Sequence, residues 1–531
     1  MIPSIAPHDW KRFLWAAVAG AIIFIFTQFG PAAGDQLFSS STPKVIAKSE
    51  AESSAKKFVR EQFGKAAVTA HTIYQTDSLA NGYFSKEELL GKFEDKYDAK
   101  FPTDTFQVNL DLEDGTKAYV YVHMTNGSIT GWHWLGGQSA GNAQSFQTSA
   151  KAFAETKGFR PEELDSLYIN DQGDAVLHPT GYTLGDASLE LIIGVGLVDD
   201  KAVITRYKPA FQAPADYVSY VEGQKKTGSA LSVVSLAYMC FISLVLSLIY
   251  AILYRGHTTF KRGIFISLVF IVFYIYNNLN VLDGIMATFG EQSRSDAEMK
   301  ATVLITVVLL IPVGLAVYFA LVAGDGMWRS QKRPLWPGFR ERGYGEHVWR
   351  SVGLSYLFAA IILGAQAIIM VAMKFLAGSW ATSDATQSPY NTDMLWLMPM
   401  MAWCAAISEE AIFRLFGIAL FKKWFKNTFI ATLIPTIMWA LGHVGYPIFP
   451  FYTRIVELVI LGTVFCLIFL RYGFITAVFT HAILDSLIMS FELVSVGGGV
   501  NITAALIYAI LPVIIAWVIK SWHKRRTPIR V

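Results

Sequence analysis

The chain has 531 residues, of which 53% are hydrophobic and only 16% charged, against roughly 25% charged in an ordinary soluble domain. That balance excludes a simple soluble globule, and a net charge of +3 excludes the strongly basic surface that nucleic-acid binding needs, so no nucleic-acid partner is expected. The three cysteines, Cys240, Cys404 and Cys466, all fall in apolar stretches, which leaves no disulfide framework for the polar part of the chain.

From the N-terminus, apolar runs of about 17–25 residues, each enough to cross a hydrocarbon core of about 30 Å, recur at 13–33, 231–254, 264–282, 303–323, 352–375, 394–421, 429–446, 455–470, 474–496 and 504–519. The expected fold is a polytopic α-helical membrane bundle of about ten transmembrane helices, with an extracytoplasmic α+β region between the first helix and the second. Lys11 and Arg12 precede the first run, which is longer than the apolar core of a secretory signal and reads as an uncleaved anchor. With the N-terminus in the cytoplasm, the Lys and Arg of 255–262, 329–350, 422–426, Arg471 and 520–530 all fall on that side. Asp283, Glu291, Asp296, Glu298 and Asp384 fall on the other. This satisfies the positive-inside rule for a multi-pass protein of the cell membrane with both termini cytoplasmic. Trp328, Trp336, Trp349, Trp424 and Trp522 lie near expected span boundaries, as interfacial anchors in the bilayer do.

The division that follows is an N-terminal tip and anchor at 1–33, an extracytoplasmic α+β tandem at 34–228, accessory membrane helices at 229–392, a membrane core at 393–520 and a basic tail at 521–531. Within the tandem, Ser54–Phe58 and Ser149–Phe153 each open an amphipathic helical pattern followed by strand-like segments. The stretch 119–123 alternates up to Asn126-Gly127, a two-residue hairpin signal, and 189–198 and 202–207 flank Asp199-Asp200. The arrangement resembles the PepSY-like ectodomains of bacterial envelope proteins. That resemblance implies a binding or regulatory module with a ligand or protein partner, and no metal cluster, Ser/His/Asp set or phosphate loop is evident in it.

The chemistry concentrates in the last third. Ionisable groups cost about 2.5–3.5 kcal/mol apiece inside a bilayer on insertion scales, yet Glu409, Glu410, Arg414, His443, His481 and Asp485 all stand in otherwise apolar runs. Glu410 and Arg414 are spaced i, i+4, so they meet on one helix face and neutralise each other, which leaves Glu409 free as a base. His443 closes the run 429–441 one turn after Trp439. His481 and Asp485 form a second i, i+4 pair, in which the carboxylate orients the imidazole or both project into one cavity. Two His, two Glu, an Arg and an Asp supply a water-activating base, an oxyanion donor and orienting partners for peptide-bond hydrolysis. His443, His481, Glu409 and Asp485 are also the donor types that could ligate Zn²⁺ with an open position, though HExxH is absent. One feature resists convergence. At about 1.5 Å per residue, Glu409 is ~20 Å from Lys422, His443 ~26 Å from Lys426 and His481 ~15 Å from Arg471 if each stretch is helical.

The segments Glu409-Glu410-Ala-Ile-Phe-Arg414, Trp439-Ala-Leu-Gly-His443 and His481-Ala-Ile-Leu-Asp485 resemble, in order, the EExxxR, FxxxH and HxxxN signatures of the CAAX-protease and bacteriocin-processing (CPBP) family. This family is also called the Abi or type II CAAX prenyl endopeptidase family of intramembrane proteases. Trp439 replaces the family Phe, and Asp485 replaces its Asn. The resemblance covers about 394–519. It implies that Glu409 and His443 activate water, that His481 and Asp485 serve the oxyanion, and that Glu410 and Arg414 shape the site. An ionised Asp cannot donate a hydrogen bond, so Asp485 must be protonated, orient His481 or bind a metal. The function expected is an intramembrane endopeptidase acting on peptide or membrane-protein substrates. The alternatives are a non-catalytic immunity, scaffold or regulatory protein of the same fold, and a transporter.

Overall fold

The computed structural model describes residues 7–36, 44–136, 138–139, 143–164, 167–198, 201–292 and 296–526. Among them, seven helices are long and apolar enough to cross a membrane: Trp10–Thr27, Ala215–Leu253, Lys300–Ser330, Tyr344–Ala377, Phe451–Tyr472, Phe474–Val496 and Gly499–Arg525. The protein is a polytopic helical membrane protein with a sheet region near its N-terminus. The other three apolar runs are also helical but differ in kind. Ile264–Asn280 and Thr428–Leu441 are shorter apolar helices, and the third run holds Glu409, Glu410 and Arg414 within a helix that changes character at Glu410. Ala215–Leu253 starts well before the apolar run at 231, so one rod carries the chain from the sheet into the bundle.

Among the described residues the polar region forms one antiparallel sheet of ten strands: β1 (Ala67–Thr76), β2 (Asp104–Leu112), β3 (Lys117–His123), β4 (Ile129–Trp134), β5 (Gln138–Ser139), β6 (Leu167–Ile169), β7 (Ala175–Leu177), β8 (Thr183–Leu184), β9 (Ala187–Val198) and β10 (Lys201–Gln212). The path is β1-β2-β3-β4-β10-β9-β7-β6, with β5 and β8 pairing to β9. The two helix-plus-strand units are therefore fused edge to edge, through Arg206 opposite His133 and Tyr207 opposite Trp132. The hairpin at Asn126-Gly127 is present between β3 and β4, with Gly127 at φ 69°, a conformation that glycine adopts without a Cβ penalty. Asp199-Asp200 lies outside the described residues.

Strand side chains alternate between two faces. On one face Phe106, Val108, Val120, Val122 and Trp132 are buried beneath the helices Lys48–Phe63 and Ala143–Thr156. Trp132 is central there, with ring centroids 4.8 Å from Phe58, 5.7 Å from Phe153 and 5.3 Å from Tyr207. The opposite face is polar and rests on the ends of the membrane helices. Gln107 donates to the Gly290 carbonyl at 3.1 Å. Glu291 accepts from the Tyr121 hydroxyl at 2.8 Å and pairs with His133 at 2.8 Å and Arg206 at 3.4 Å. At the β1 edge the Asn391 amide accepts from Tyr74 N–H and donates to Tyr74 C=O, and Asp283 pairs with Lys48 and His71. Burial raises the Glu291 carboxyl, but His133, Arg206 and Tyr121 outweigh it and hold the group down to about 2.

At the far end of Ala215–Leu253 the basic segments meet one another. Asp325 takes Arg262 and Arg329, each at 2.9 Å, Arg333 donates to the Leu470 carbonyl, and Lys423 donates to the Tyr254 hydroxyl.

Candidate active site

Met400–Glu409 is α-helical, and Glu410–Ile418 continues it as a π-helix whose nine residues are all buried. A wide turn of this kind needs partners for its displaced backbone groups. Trp328, from the helix Lys300–Ser330, donates its indole N–H to the Leu415 carbonyl at 2.8 Å. With 1% exposure Trp328 is a buried brace, and its expected place as an interfacial anchor is corrected; Trp336, at 6%, is likewise buried. Gly417 lets the next helix approach, since a Cβ there would lie 3.2 Å from Pro435 Cβ and 2.9 Å from the Ile412 carbonyl.

Glu410 and Arg414 sit on this π-helix, 0% and 1% exposed, with Oε1 3.1 Å from Nη1. The guanidinium lies over the Trp439 ring at 4.4 Å and the Phe465 ring at 5.4 Å, which supplies cation–π attraction where water is scarce. The same Glu410 oxygen also accepts from His481 Nδ1 at 2.9 Å. That bond places a proton on Nδ1 and leaves Nε2 facing Glu409 and Asp485.

Glu409, one residue earlier, points elsewhere, as the rotation of about 100° per residue requires. Its Oε2 accepts from the Trp439 indole N–H. Its Oε1 lies 3.8 Å from His443 Nε2, and its Oε2 lies 3.8 Å from His481 Nε2. His443 stands just past the helix Thr428–Leu441 and donates Nδ1–H to the Trp439 carbonyl at 2.9 Å. Its Nε2 is therefore an acceptor facing Glu409. Asp485 Oδ2 lies 3.3 Å from His481 Nε2, a contact that is favourable when either group carries a proton. Side-chain exposure is 14% for Glu409, 21% for His443 and 26% for Asp485, against 5% for His481. The three partly open groups form the more exposed side of the cluster, and His481, Glu410 and Arg414 its buried side.

All six sequence-derived residues thus meet in one cluster, despite the unequal helical distances expected from the basic ends. The π-helix takes more residues per turn, which shortens the rise between Glu409 and Lys422. The helix that leads to His443 and the one that carries His481 also begin independently, at Thr428 and Phe474. Three contributions had no sequence signal strong enough to find them: the Trp439 indole on Glu409, the Glu410 grip on His481, and Tyr446, whose ring stacks on His443 at 5.8 Å.

For a zinc ion the fit is poor. No group of three or more His, Cys, Asp or Glu donors among the described residues is arranged to hold a metal. The Glu409 oxygen nearest His481 is already engaged by the indole N–H, and His481 Nδ1 is taken by Glu410.

Residues 391–487 match the family model for Rce1-like type II CAAX prenyl endopeptidases. The Rce1-like segment contains all six residues of the cluster, and it begins at Asn391, whose amide ties the membrane region to β1. No curated protein and no solved structure gives a significant match to the chain.

Proposed function

We propose that the protein is an intramembrane endopeptidase that hydrolyses peptide bonds with a water activated by Glu409 and His443. The observation that carries this reading is the position of Glu409, 3.8 Å from both His443 Nε2 and His481 Nε2. At such a spacing one water molecule can bridge a carboxylate and an imidazole. Glu409 Oε1 takes one proton of the water while His443 Nε2 accepts a hydrogen bond from the hydrogen that stays on it, and the resulting hydroxide oxygen attacks the carbonyl carbon. The oxyanion forms beside His481 Nε2, which donates the proton it shares with Asp485 as a hydrogen bond. Glu409 then passes its proton to the departing amine, the C–N bond breaks, and a carboxylic acid and an amine are released. The Trp439 N–H keeps Glu409 Oε2 occupied, so Oε1 serves as the base. Glu410 and Arg414 hold His481 and the Trp439 ring in place. No step passes through a metal.

The ten helical runs are read as ten spans of the cell membrane with both termini cytoplasmic, which places the sheet and the helix ends beneath it outside. The basic segments gathered at the opposite end support this reading under the positive-inside rule. Substrates are peptides or membrane proteins presented within the bilayer.

The test is the purified full chain in detergent with a quenched peptide library, wild type beside Glu409→Gln, with and without a chelator. Cleavage by wild type, lost in Glu409→Gln and kept within twofold by the chelator, is the expected result. Equal cleavage by Glu409→Gln would overturn the mechanism, and loss with chelator would overturn its metal-free form.

A further inference from the structure

His443 stands in a turn, not on a helix, because Thr428–Leu441 ends before it. The backbone there gives its imidazole little support, and the ring is free to swivel about its hydrogen bond from Nδ1 to the Trp439 carbonyl. The Trp439 ring meets it edge-on, at 5.1 Å and 62°, a contact that does not fix its tilt. Tyr446 supplies what is missing. The two rings are parallel to within 8°, with centroids 5.8 Å apart, an offset arrangement that aromatic pairs favour. Turning the imidazole away from Glu409 would break it.

Tyr446 is itself 38% exposed, and its hydroxyl has no hydrogen-bond partner among the described residues. Its ring is held instead by Arg454, from the first turn of the helix Phe451–Tyr472. The guanidinium carbon lies 5.5 Å from the ring centroid, within cation–π range. The guanidinium is fixed in turn. Its Nη1 donates to both Glu457 carboxylate oxygens at 2.7 Å, and Gln366 of the helix Tyr344–Ala377 donates to the same carboxylate at 3.0 Å. Arg454 and Glu457 are only 15% and 4% exposed. Taking two charges out of water is costly, and their mutual attraction often does no more than offset it, so stability alone is a weak reason for this pair. Arg454 Nε is also buried without a hydrogen-bond partner among the described residues, so the guanidinium is not placed for the most hydrogen bonds. No step of the hydrolysis described above uses the pair. What it does touch is the ring that faces His443.

We propose that Tyr446 and Arg454 are positioning residues that hold the His443 imidazole with Nε2 toward Glu409. The line of support runs from Gln366 and Glu457 through Arg454 to Tyr446, so two membrane helices steady a ring that its own turn leaves loose. The effect on catalysis rests on the protease reading given above; the hold on the ring does not.

Two measurements on the full chain in detergent test this. The first is cleavage of a peptide taken from the library screen. Tyr446→Phe keeps the ring and should keep kcat within twofold of wild type. Tyr446→Leu keeps bulk without the ring and should lower kcat at least tenfold. Arg454→Met/Glu457→Gln removes both charges, leaves an amide for Gln366, and should lower kcat at least threefold. KM should change less than twofold in each, in protein that keeps a cooperative unfolding transition. The second measurement is the rate at which diethylpyrocarbonate carbethoxylates His443, read by mass spectrometry against the exposed His257. Tyr446→Phe should match wild type, and the other two variants should react at least fivefold faster. The rise in Arg454→Met/Glu457→Gln decides most, because Tyr446 is still present there. Equal kcat, or equal labelling, in Tyr446→Phe and Tyr446→Leu would overturn the role of Tyr446. Wild-type kcat or wild-type labelling in Arg454→Met/Glu457→Gln would overturn that of Arg454. Either result, beside cleavage that Glu409→Gln abolishes, leaves the protease standing. If the library yields no Glu409-dependent cleavage, the protease reading falls and the labelling alone decides: equal rates in all four proteins overturn the positioning, and the expected order of rates upholds it.

Discussion

Neutralising Glu410 alone should harm the fold more than removing Glu410 and Arg414 together. The pair is 0% and 1% exposed with 3.1 Å between the charged atoms. At an effective dielectric constant of about 20, Coulomb's law gives a gross attraction of about 5 kcal/mol at that distance, before desolvation is counted. Glu410→Gln strands a buried guanidinium whose Nε and Nη2 have no hydrogen-bond partner among the described residues. Arg414→Met strands a carboxylate whose remaining contact is His481. Each single change should destabilise by about 3–5 kcal/mol, the usual effect of breaking one side of a buried pair. The double variant leaves neither charge behind, and replacing a whole buried pair is often close to neutral, so its loss should be smaller than either single loss, a shortfall from the sum of about 5 kcal/mol. Thermal unfolding of the purified full chain in one detergent, followed by tryptophan fluorescence, reads this as a double-variant midpoint above that of either single variant. Cleavage should not recover in parallel, because His481 Nδ1 has lost its carboxylate. Strictly additive midpoint losses, or recovery of activity along with stability, would refute the assignment of both roles to Glu410.

Trp439→Phe keeps an aromatic ring under Arg414 but removes the N–H that Glu409 accepts. A hydrogen bond to a charged group is worth about 1.5–3 kcal/mol, so peptide-cleavage assays should show kcat/KM lower by about 10-fold to 150-fold with little change in unfolding midpoint. Asp485→Asn can still share a hydrogen bond with His481 Nε2, so it should keep cleavage within about tenfold of wild type, whereas Asp485→Ala should lose about 100-fold, the scale of one oxyanion contact. The Glu291 carboxyl is lowered from 4.5 to about 2, so its contribution, about 3 kcal/mol at 1.36 kcal/mol per unit, is fully present above pH 4.5 and fades as the pH falls through 2. Protection of the β3 and β4 amides from hydrogen exchange, taken relative to each amide's intrinsic rate at the same pH, should therefore fall on acidification from pH 5 toward 2 in wild type, and depend less on pH in Glu291→Gln.

Much of the candidate site was legible in the amino-acid pattern because its parts obey local rules. The i, i+4 spacing of Glu410 with Arg414 and of His481 with Asp485 puts each pair on one helix face. The cost of placing Glu409 and His443 in apolar runs marks them as purposeful. What stayed hidden was non-local. Glu410 meets His481 from 71 residues away, and the i, i+4 pairings give no hint that one carboxylate oxygen serves two partners. Trp328 looked like a boundary tryptophan because hydropathy registers position along a span, not the π-helix carbonyl it serves. The seam of the sheet was hidden for the same reason. Each half shows its own helix and hairpin periodicity, but the pairing of Tyr207 with Trp132 depends on packing against Phe58 and Phe153.

The polar underside of that sheet has a practical corollary for dissecting the molecule. An excised fragment carrying only the strands would bare Tyr121, His133 and Arg206 without the Glu291 they clasp, and would free the Tyr74 backbone from Asn391. Such a fragment would present to solvent a surface that in the whole protein is a ceiling. Ligand screens on the fragment would sample a floorless room.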